Sequence, residues 1–529
     1  MSTSSAAIGT HKLTRLLAPL MAFPALIPLA RSFVDAHLQH KVATGFIFYD
    51  MAYYMAYARE QFDQGFHLTF GNPYAPYGTP AIYFQPQALV LGGLQRMGLD
   101  PGLVYNLFGL AAMFFAAWVA VRFYEEVVGV ETPAKLIGLV CFFWGGGILS
   151  LAGIAAGFIE HQPILDSILK FDISGGWWMF NFGRNLSYPV EAYYHGVFLL
   201  TLLCLIRGRL GASLALAALL SLSHPITGVE LLLILVAYSA LELALKSRAV
   251  TPLFLAVSIA ILVFHVGYYL VFLNRFPDHR VLQSQWDVAW FYAPSTYVPA
   301  LFIVGCLAAA RLLGAPGPMQ AMKDSRVRLF AVWFLVVFAL TQHNLVIKPM
   351  EPVHFARGYD WMALFFMGAP ALLASIDRLL GIRPRQLQHA AITALVLFFL
   401  LDNLIWYASF LSPGRKSQAI LLTYDQKSVL DWLDRNTAPP DMVVCQDSMV
   451  SYLVSTYTRV RSWEGHAMLT PFYAQRAAEI DRAFGAGHIL PEWERLRVYY
   501  VAELGNNWSP PSNTAELYQN GEFVVWGPK

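Results

Sequence analysis

Charge is scarce in this chain. Asp, Glu, Lys and Arg make up 13% of its 529 residues, where a soluble domain has roughly 25%. What charge there is nearly cancels: 36 Lys and Arg against 34 Asp and Glu leave a net +2, which gives no footprint for nucleic acid. Cysteine is scarcer still, with four in all. Cys141, Cys204 and Cys306 sit in apolar runs and Cys445 lies near the C-terminus. None forms a CxxC, so the pattern excludes both a disulfide framework and a zinc site. Also missing are a P-loop, a GxSxG and an HExxH. No evenly spaced row of charges marks a voltage sensor or proton relay. His265 is the clearest histidine inside an apolar run, and a lone one reads as an interhelical donor. Solenoid-type repeats and low-complexity segments are absent.

What the chain has in excess is hydrophobic residues, 57% of the total, and that places it among polytopic membrane proteins. A span needs on the order of 20 apolar residues. Segments 14–34, 104–123, 133–157, 192–206, 211–223, 226–243, 252–274, 298–313, 329–346, 360–377 and 387–409 meet or approach that length, which gives about 11 transmembrane helices. Segment 85–98 is too short to span and suits the interface. Positive charge sets the orientation. Arg207 with Arg209, Lys246 with Arg248, Lys323 with Arg326 and Arg328, and Arg378 with Arg383 and Arg385 all fall on the side of Lys12 and Arg15 when the spans are counted. That side, and with it the N-terminus, is expected to be cytoplasmic.

The long mixed segments 35–103, 158–191, 275–297 and 347–359, and the tail from 410, then collect on the other face. The tail alternates helical patterns at 425–435 and 471–484 with β-like runs at 442–445, 498–502 and 522–526. It reads as a small extracytoplasmic α/β domain, 410–529, following a transmembrane domain, 1–409.

Polar residues cluster in four places. Asp50 stands early in an aromatic stretch, 45–86, beside Phe48, Tyr49, Tyr53 and Tyr54. A carboxylate at a membrane boundary is hydrated, paired or functional, so Asp50 suits a general base, a metal ligand, a helix cap or a partner for Arg59. Segment 172–196 carries Asp172, Arg184, Glu191 and His195 among Trp177, Trp178, Phe180 and other aromatics. Glu191 and His195 share a helix face, which suits a metal pair or an acid–base pair. His224, in a His-Pro turn, suits a phosphate or metal ligand or a helix cap, and Glu230 follows it. Lys348, His354 and Arg357 put three potential cations in one loop, fit either for a lipid phosphate or for snorkelling.

Three phrases carry a resemblance: GNPYAPYGTPAIYFQPQ after the first span, LSHPITGVELLL at the His-Pro turn, and RSWEGHAMLTPFYAQR at 461–476. With the layout of spans and tail, they make the chain resemble the GT-C superfamily of membrane glycosyltransferases, in a branch of bacterial integral membrane proteins. The resemblance implies a GT-C-like polytopic helical fold. It implies transfer of a hexosyl or pentosyl group from a polyprenyl-phosphate-linked donor at the extracytoplasmic face of the bacterial inner membrane, in cell-envelope glycan or glycolipid synthesis. By position Asp50 matches the first-loop acid that such enzymes use as base or metal ligand. Many relatives have two adjacent acids there, whereas Met51 follows Asp50 here. A divalent cation (Mg or Mn) held by Asp50 would therefore need a second ligand from Glu191, His195 or His224.

The expected roles follow. Asp50 is the catalytic group. Arg184, Lys348, His354, Arg357, Tyr53 and Tyr54 bind substrate or lipid phosphate. Asp50, Arg184, Glu191, His224 and Arg357 are expected to converge on one cavity. The expected partners are the polyprenyl-linked sugar and membrane lipid, without nucleic acid. A flippase for a polyprenyl-linked precursor and a non-catalytic assembly subunit are the alternatives.

Overall fold

The computed structural model describes residues 16–63, 65–170, 181–285, 290–314, 317–412, 418–506 and 508–529. The chain divides into two compact units: residues 1–28, 109–267 and 288–415 form one, and residues 29–108, 268–287 and 416–529 the other.

The first unit is helical. Proline recurs as the opening residue of its helices, at Pro133, Pro189, Pro225, Pro252 and Pro294. At the first helical position its missing N–H costs nothing and its fixed φ favours the turn. Side-chain caps add to this: Thr132 accepts from the Lys135 amide and Thr251 from the Phe254 amide. Among the described residues of the whole chain, eight helices are long and apolar enough to cross a membrane, or nine if the bent pair Pro133–Trp144 and Leu149–Ile159 counts as one span. The protein is an integral multi-pass membrane protein of helical fold, with a sheet in its C-terminal region. Each of the eleven apolar segments contains helix, but not all reach spanning length: Leu210–Ser223 has 14 residues and Ser325–Thr341 has 17.

Segment 133–157, read as one span, is broken into a bent pair of helices. The two helices meet at 55° across residues 145–148, and helix Arg385–Leu411 fills the break. The Asp402 carboxylate accepts from the amides of Gly147 (3.1 Å), Leu149 (2.9 Å) and Ser150 (2.9 Å). The Asn403 amide donates to the Trp144 carbonyl at 2.6 Å. These bonds satisfy backbone groups that apolar surroundings could not. A second buried pair, Arg328 with Glu242 at 2.5 and 2.7 Å, joins helices Ser325–Thr341 and Pro225–Ala244. His265 meets Ser221 Oγ at 2.8 Å, an interhelical contact.

The second unit holds the sheets. Strand β1 (Val42–Ala43) pairs antiparallel with β2 (Leu421–Leu422). A five-stranded sheet runs in the order β4 (Arg461–Ser462), β3 (Met442–Cys445), β5 (Val498–Glu503), β7 (Phe523–Pro528), β6 (Thr514–Gln519). The β4–β3–β5 part is parallel and the β5–β7–β6 part antiparallel. Every residue of β3 is buried, as a parallel strand covered on both faces requires. Met442, Val444, Trp463, Ile480, Phe484, Trp493 and Tyr500 form one core of this sheet. Helix Tyr424–Asn436 starts with a capping box between Thr423 and Gln426.

Candidate active site

Within the second unit the aromatic stretch is tied down by the tail. The Thr44 hydroxyl donates to the Ile420 carbonyl at 2.7 Å, and the Ile420 amide donates to the Phe46 carbonyl at 2.9 Å. The hydroxyls of Tyr452 and Thr456, on helix Ser448–Tyr457, donate to the carbonyls of Tyr49 (2.7 Å) and Ala52 (3.1 Å). Segment 461–476 does most of the rest. Arg461 donates to the carbonyls of Ala75 (2.9 Å) and Pro76 (2.8 Å), pairs with Glu60, and lies over the Tyr77 ring. Arg476 donates to the Tyr74 carbonyl at 3.3 Å, and the Leu469 carbonyl accepts from Asn72 at 2.8 Å. Gly465 is required by packing: a Cβ there would stand 2.9 Å from Tyr74 Cε1 and nearer still to Cδ1.

This framework sets Asp50 beside His466. Asp50 sits in the short 3-10 turn Tyr49–Met51 that leads into helix Ala52–Glu60. Its Oδ1 is 3.0 Å from His466 Nε2; the histidine side chain is 1% exposed and that of Asp50 44%. His466 Nδ1 accepts from the Met468 amide at 3.1 Å. That bond assigns the proton of the neutral ring to Nε2, which donates to Asp50. Tyrosines enclose the imidazole: Tyr49 at 4.9 Å, Tyr53 and Tyr452 at 5.3 Å, and Tyr74 at 6.2 Å between ring centroids. Tyr53 also stacks on Tyr54 at 4.2 Å. Burial pushes the Tyr49 and Tyr452 hydroxyls above their ordinary range, and Glu464 above that of a carboxylate. Arg59 is not the partner of Asp50; it pairs with Asp63 at 3.0 Å and Asp434 at 3.4 Å.

The first unit gathers the other candidates. Arg357 and Gly358 both have positive φ, 33° and 78°, at the turn into helix Tyr359–Leu380. The Arg357 carbonyl accepts from the Asn185 amide (3.1 Å) and meets His195 Nε2 (2.8 Å), which fixes this turn. The Arg357 guanidinium is buried, pairs with Glu191, and lies 3.4 Å from His224 Nε2. His224 caps helix Pro225–Ala244, its Nδ1 accepting from the Thr227 amide at 3.1 Å. His354 pairs with Glu351, and Lys348 is exposed. Arg184, 1% exposed, donates to Asn403 Oδ1 at 2.5 Å and to the Asp402 carbonyl at 3.2 Å, with Trp406 beneath it at 5.0 Å. Both oxygens of Glu230 are buried without a hydrogen-bond partner among the described residues. Asp172, Trp177, Trp178 and Phe180 lie outside the described residues, as do Lys12 and Arg15.

Of the five residues expected in one cavity, Asp50 belongs to the second unit and Arg184, Glu191, His224 and Arg357 to the first. Three of the donors offered for a metal are engaged by other groups. The ring nitrogens of His195 both face carbonyl oxygens, at 2.8 Å each, Glu191 is held by Arg357, and His224 Nδ1 caps its helix. Among the described residues no group of three or more His, Cys, Asp or Glu side chains is arranged to hold a metal ion. His466 was not among the residues expected at the site. It stands in the phrase 461–476, where the sequence shows a motif but no role, and its partner is 416 residues away.

No protein-family model and no curated protein matches the chain. Solved structures do. The fold is that of the GT-C membrane glycosyltransferases. The chain is similar to ArnT from Cupriavidus metallidurans in its apo state, at 14% identity and a TM-score of 0.50, over 99% of this chain and 98% of that one. The oligosaccharyltransferase of Archaeoglobus fulgidus, also apo, gives 12% identity and 0.48 over 92% and 69%. The arabinofuranosyltransferase AftD from Mycobacteria gives 12% and 0.47 over 96% and 40%.

Proposed function

We propose that this protein is a glycosyltransferase that moves one sugar from a polyprenyl-phosphate donor to an acceptor hydroxyl at the extracytoplasmic face of a bacterial inner membrane. The observation that carries the reading is the Asp50–His466 pair: a half-exposed carboxylate held on one oxygen by a buried imidazole at 3.0 Å. Its Oδ2 has no hydrogen-bond partner among the described residues and is the oxygen that meets the acceptor.

Phosphate is a good leaving group, so the reaction needs a base and a counter-charge more than a general acid. Asp50 Oδ2 takes the proton of the acceptor hydroxyl. The acceptor oxygen forms its bond to the anomeric carbon as the bond from that carbon to the phosphate oxygen breaks, and the electron pair leaves with the polyprenyl phosphate. His466 acts through Asp50 as a positioning residue: its Nε2–H keeps Oδ1 occupied and the carboxylate turned. Tyr49 and Tyr53, the partly exposed pair among the tyrosines around it, supply flat faces for a sugar ring. Arg357, Lys348 and His354, in the first unit, are assigned to lipid phosphate on their charge alone, and no step is routed through a metal. A transporter would use a broken helix as its binding point. Here the amides of the break at 145–148 are taken by Asp402, which favours a fixed scaffold. The test is sugar transfer by Asp50→Asn in membranes of a deletion strain, read by mass analysis of envelope glycans. The reading requires loss of the product, and full transfer would defeat it.

A further inference from the structure

Away from Asp50, the second unit contains a cleft of about 570 Å³. It forms where the end of helix Ala52–Glu60 meets the end of helix Pro86–Gln95 and the exposed side of helix Tyr424–Asn436. Its charged lining divides into residues that are matched and residues that are not. Arg59 is shared by Asp63 and Asp434, and Lys427 is bonded to Asp431 at 2.5 Å. Asp100 accepts from the Gly102 amide at 2.9 Å, at the start of helix Pro101–Val127, where backbone amides favour negative charge. Arg96 and Arg459 remain: among the described residues no carboxylate lies within ion-pair distance of either, although Asp63 feels the charge of Arg459 at longer range. Arg96 rests over the Phe62 ring at 5.8 Å.

A second, independent sign comes from the wall of the cleft. Tyr457 is 5% exposed, and its hydroxyl has no hydrogen-bond partner among the described residues. The Oε1 of Gln95, also in the lining, is buried and unmatched in the same way. Buried polar atoms without partners are uncommon, and each calls for a reason. They share the lining with the two arginines, and cations already lie over the Tyr457 and Phe62 rings, Lys427 at 5.0 Å and Arg96 at 5.8 Å. Arginine donors match a phosphate or carboxylate in pairs. A phenol hydroxyl and an amide oxygen suit the hydroxyls of a sugar.

We propose that this cleft binds an anionic sugar, with Arg96 and Arg459 on its phosphate or carboxylate, as an acceptor subsite separate from the catalytic pair. Helix Ala52–Glu60 connects the two places, with Asp50 just before its start and Arg59 near its end. At 1.5 Å per residue the separation is about 14 Å, within reach of a short oligosaccharide. The acceptor is then an acidic glycan, engaged by its charge at one end of the helix and by its reacting hydroxyl at the other. This reading rests on the proposed sugar transfer for its biological meaning, but the binding can be measured without it.

The experiment is calorimetric titration of the full-length protein in neutral detergent with glucose 1-phosphate, with glucuronate and, as a control, with glucose. A parallel arm measures binding of phosphatidylglycerol against phosphatidylcholine nanodiscs. Saturable binding of the sugar phosphate or the uronate, absent for glucose and weakened at least tenfold in Arg96→Gln and Arg459→Gln, is expected. Both arginines are exposed, and thermal unfolding verifies that the variants are folded. Absence of sugar-anion binding, binding insensitive to both substitutions, or a response confined to phosphatidylglycerol would each overturn the proposal. Asp50→Asn is predicted to retain the binding in full. A chain that binds the anionic sugar but transfers sugar normally as Asp50→Asn would keep this proposal and end the catalytic one.

Discussion

Removing Asp50 and His466 singly and together tests the catalytic reading most directly. Asp50→Asn keeps the shape and an acceptor oxygen for His466 but cannot take a proton, and loss of a positioned base is worth roughly 10²–10⁴ in rate. His466→Gln keeps a donor but shifts it from the ring geometry that puts Nε2 3.0 Å from Oδ1. A hydrogen bond to a charged group contributes about 1.5–3 kcal/mol, and about 1.4 kcal/mol is tenfold in rate, so His466→Gln is expected to slow transfer by roughly 10- to 150-fold. In the Asp50→Asn background the base is already gone, and the same change is expected to cost less than about threefold, a coupling of about 1 kcal/mol or more between the sites. The assay is the initial rate of product formation in membranes of the deletion strain carrying each variant, with protein levels matched by immunoblot. Independent, additive losses would refute the assignment of His466 as a group acting through Asp50, and transfer by Asp50→Asn within threefold of wild type would refute the base.

Three further outcomes follow from geometry. Gly465→Ala puts a methyl group into the Tyr74 ring and is expected to lower stability by about 1–3 kcal/mol, read as the unfolding temperature in detergent; an unchanged temperature would mean the aromatic stretch yields freely. Asp402→Ala deprives the amides of Gly147, Leu149 and Ser150 of their acceptor, and since each unmet buried group costs about 1–3 kcal/mol, a loss of about 3 kcal/mol or more is expected, with Asp402→Asn between the two. Glu230→Met removes a carboxyl with no hydrogen-bond partner among the described residues and is expected to raise stability by about 1–3 kcal/mol; a fall would reveal a partner for that carboxyl.

The membrane architecture was legible because the hydrophobic effect acts on composition: apolar runs of spanning length announce themselves, and prolines mark where the helices begin. In the tail, the runs 442–445 and 498–502 were readable as strands for the same local reason. Helix Ser448–Tyr457 was not, since SMVSYLVSTY mixes apolar and β-branched residues without a clear period. The break at 145–148 was hidden because its cause, Asp402, lies some 250 residues further along. His224 was readable as a cap or a ligand, and only the 3.1 Å bond from the Thr227 amide displays the cap. His466 shows the limit best: residue type and motif were visible, but its meaning depends on a distance to Asp50 that no local pattern encodes.

The separation of that pair also has a consequence in time. His466 leaves the ribosome 416 residues after Asp50. At 5–20 residues per second, the nascent chain carries its acid for roughly 20–80 s before the residue that aims it exists. The same delay applies to Arg461 and Arg476, which hold the stretch around Asp50 in place. A chain stopped before Arg461 would lack the groups that hold and aim the acid, so competence would arrive only once segment 461–476 has been made.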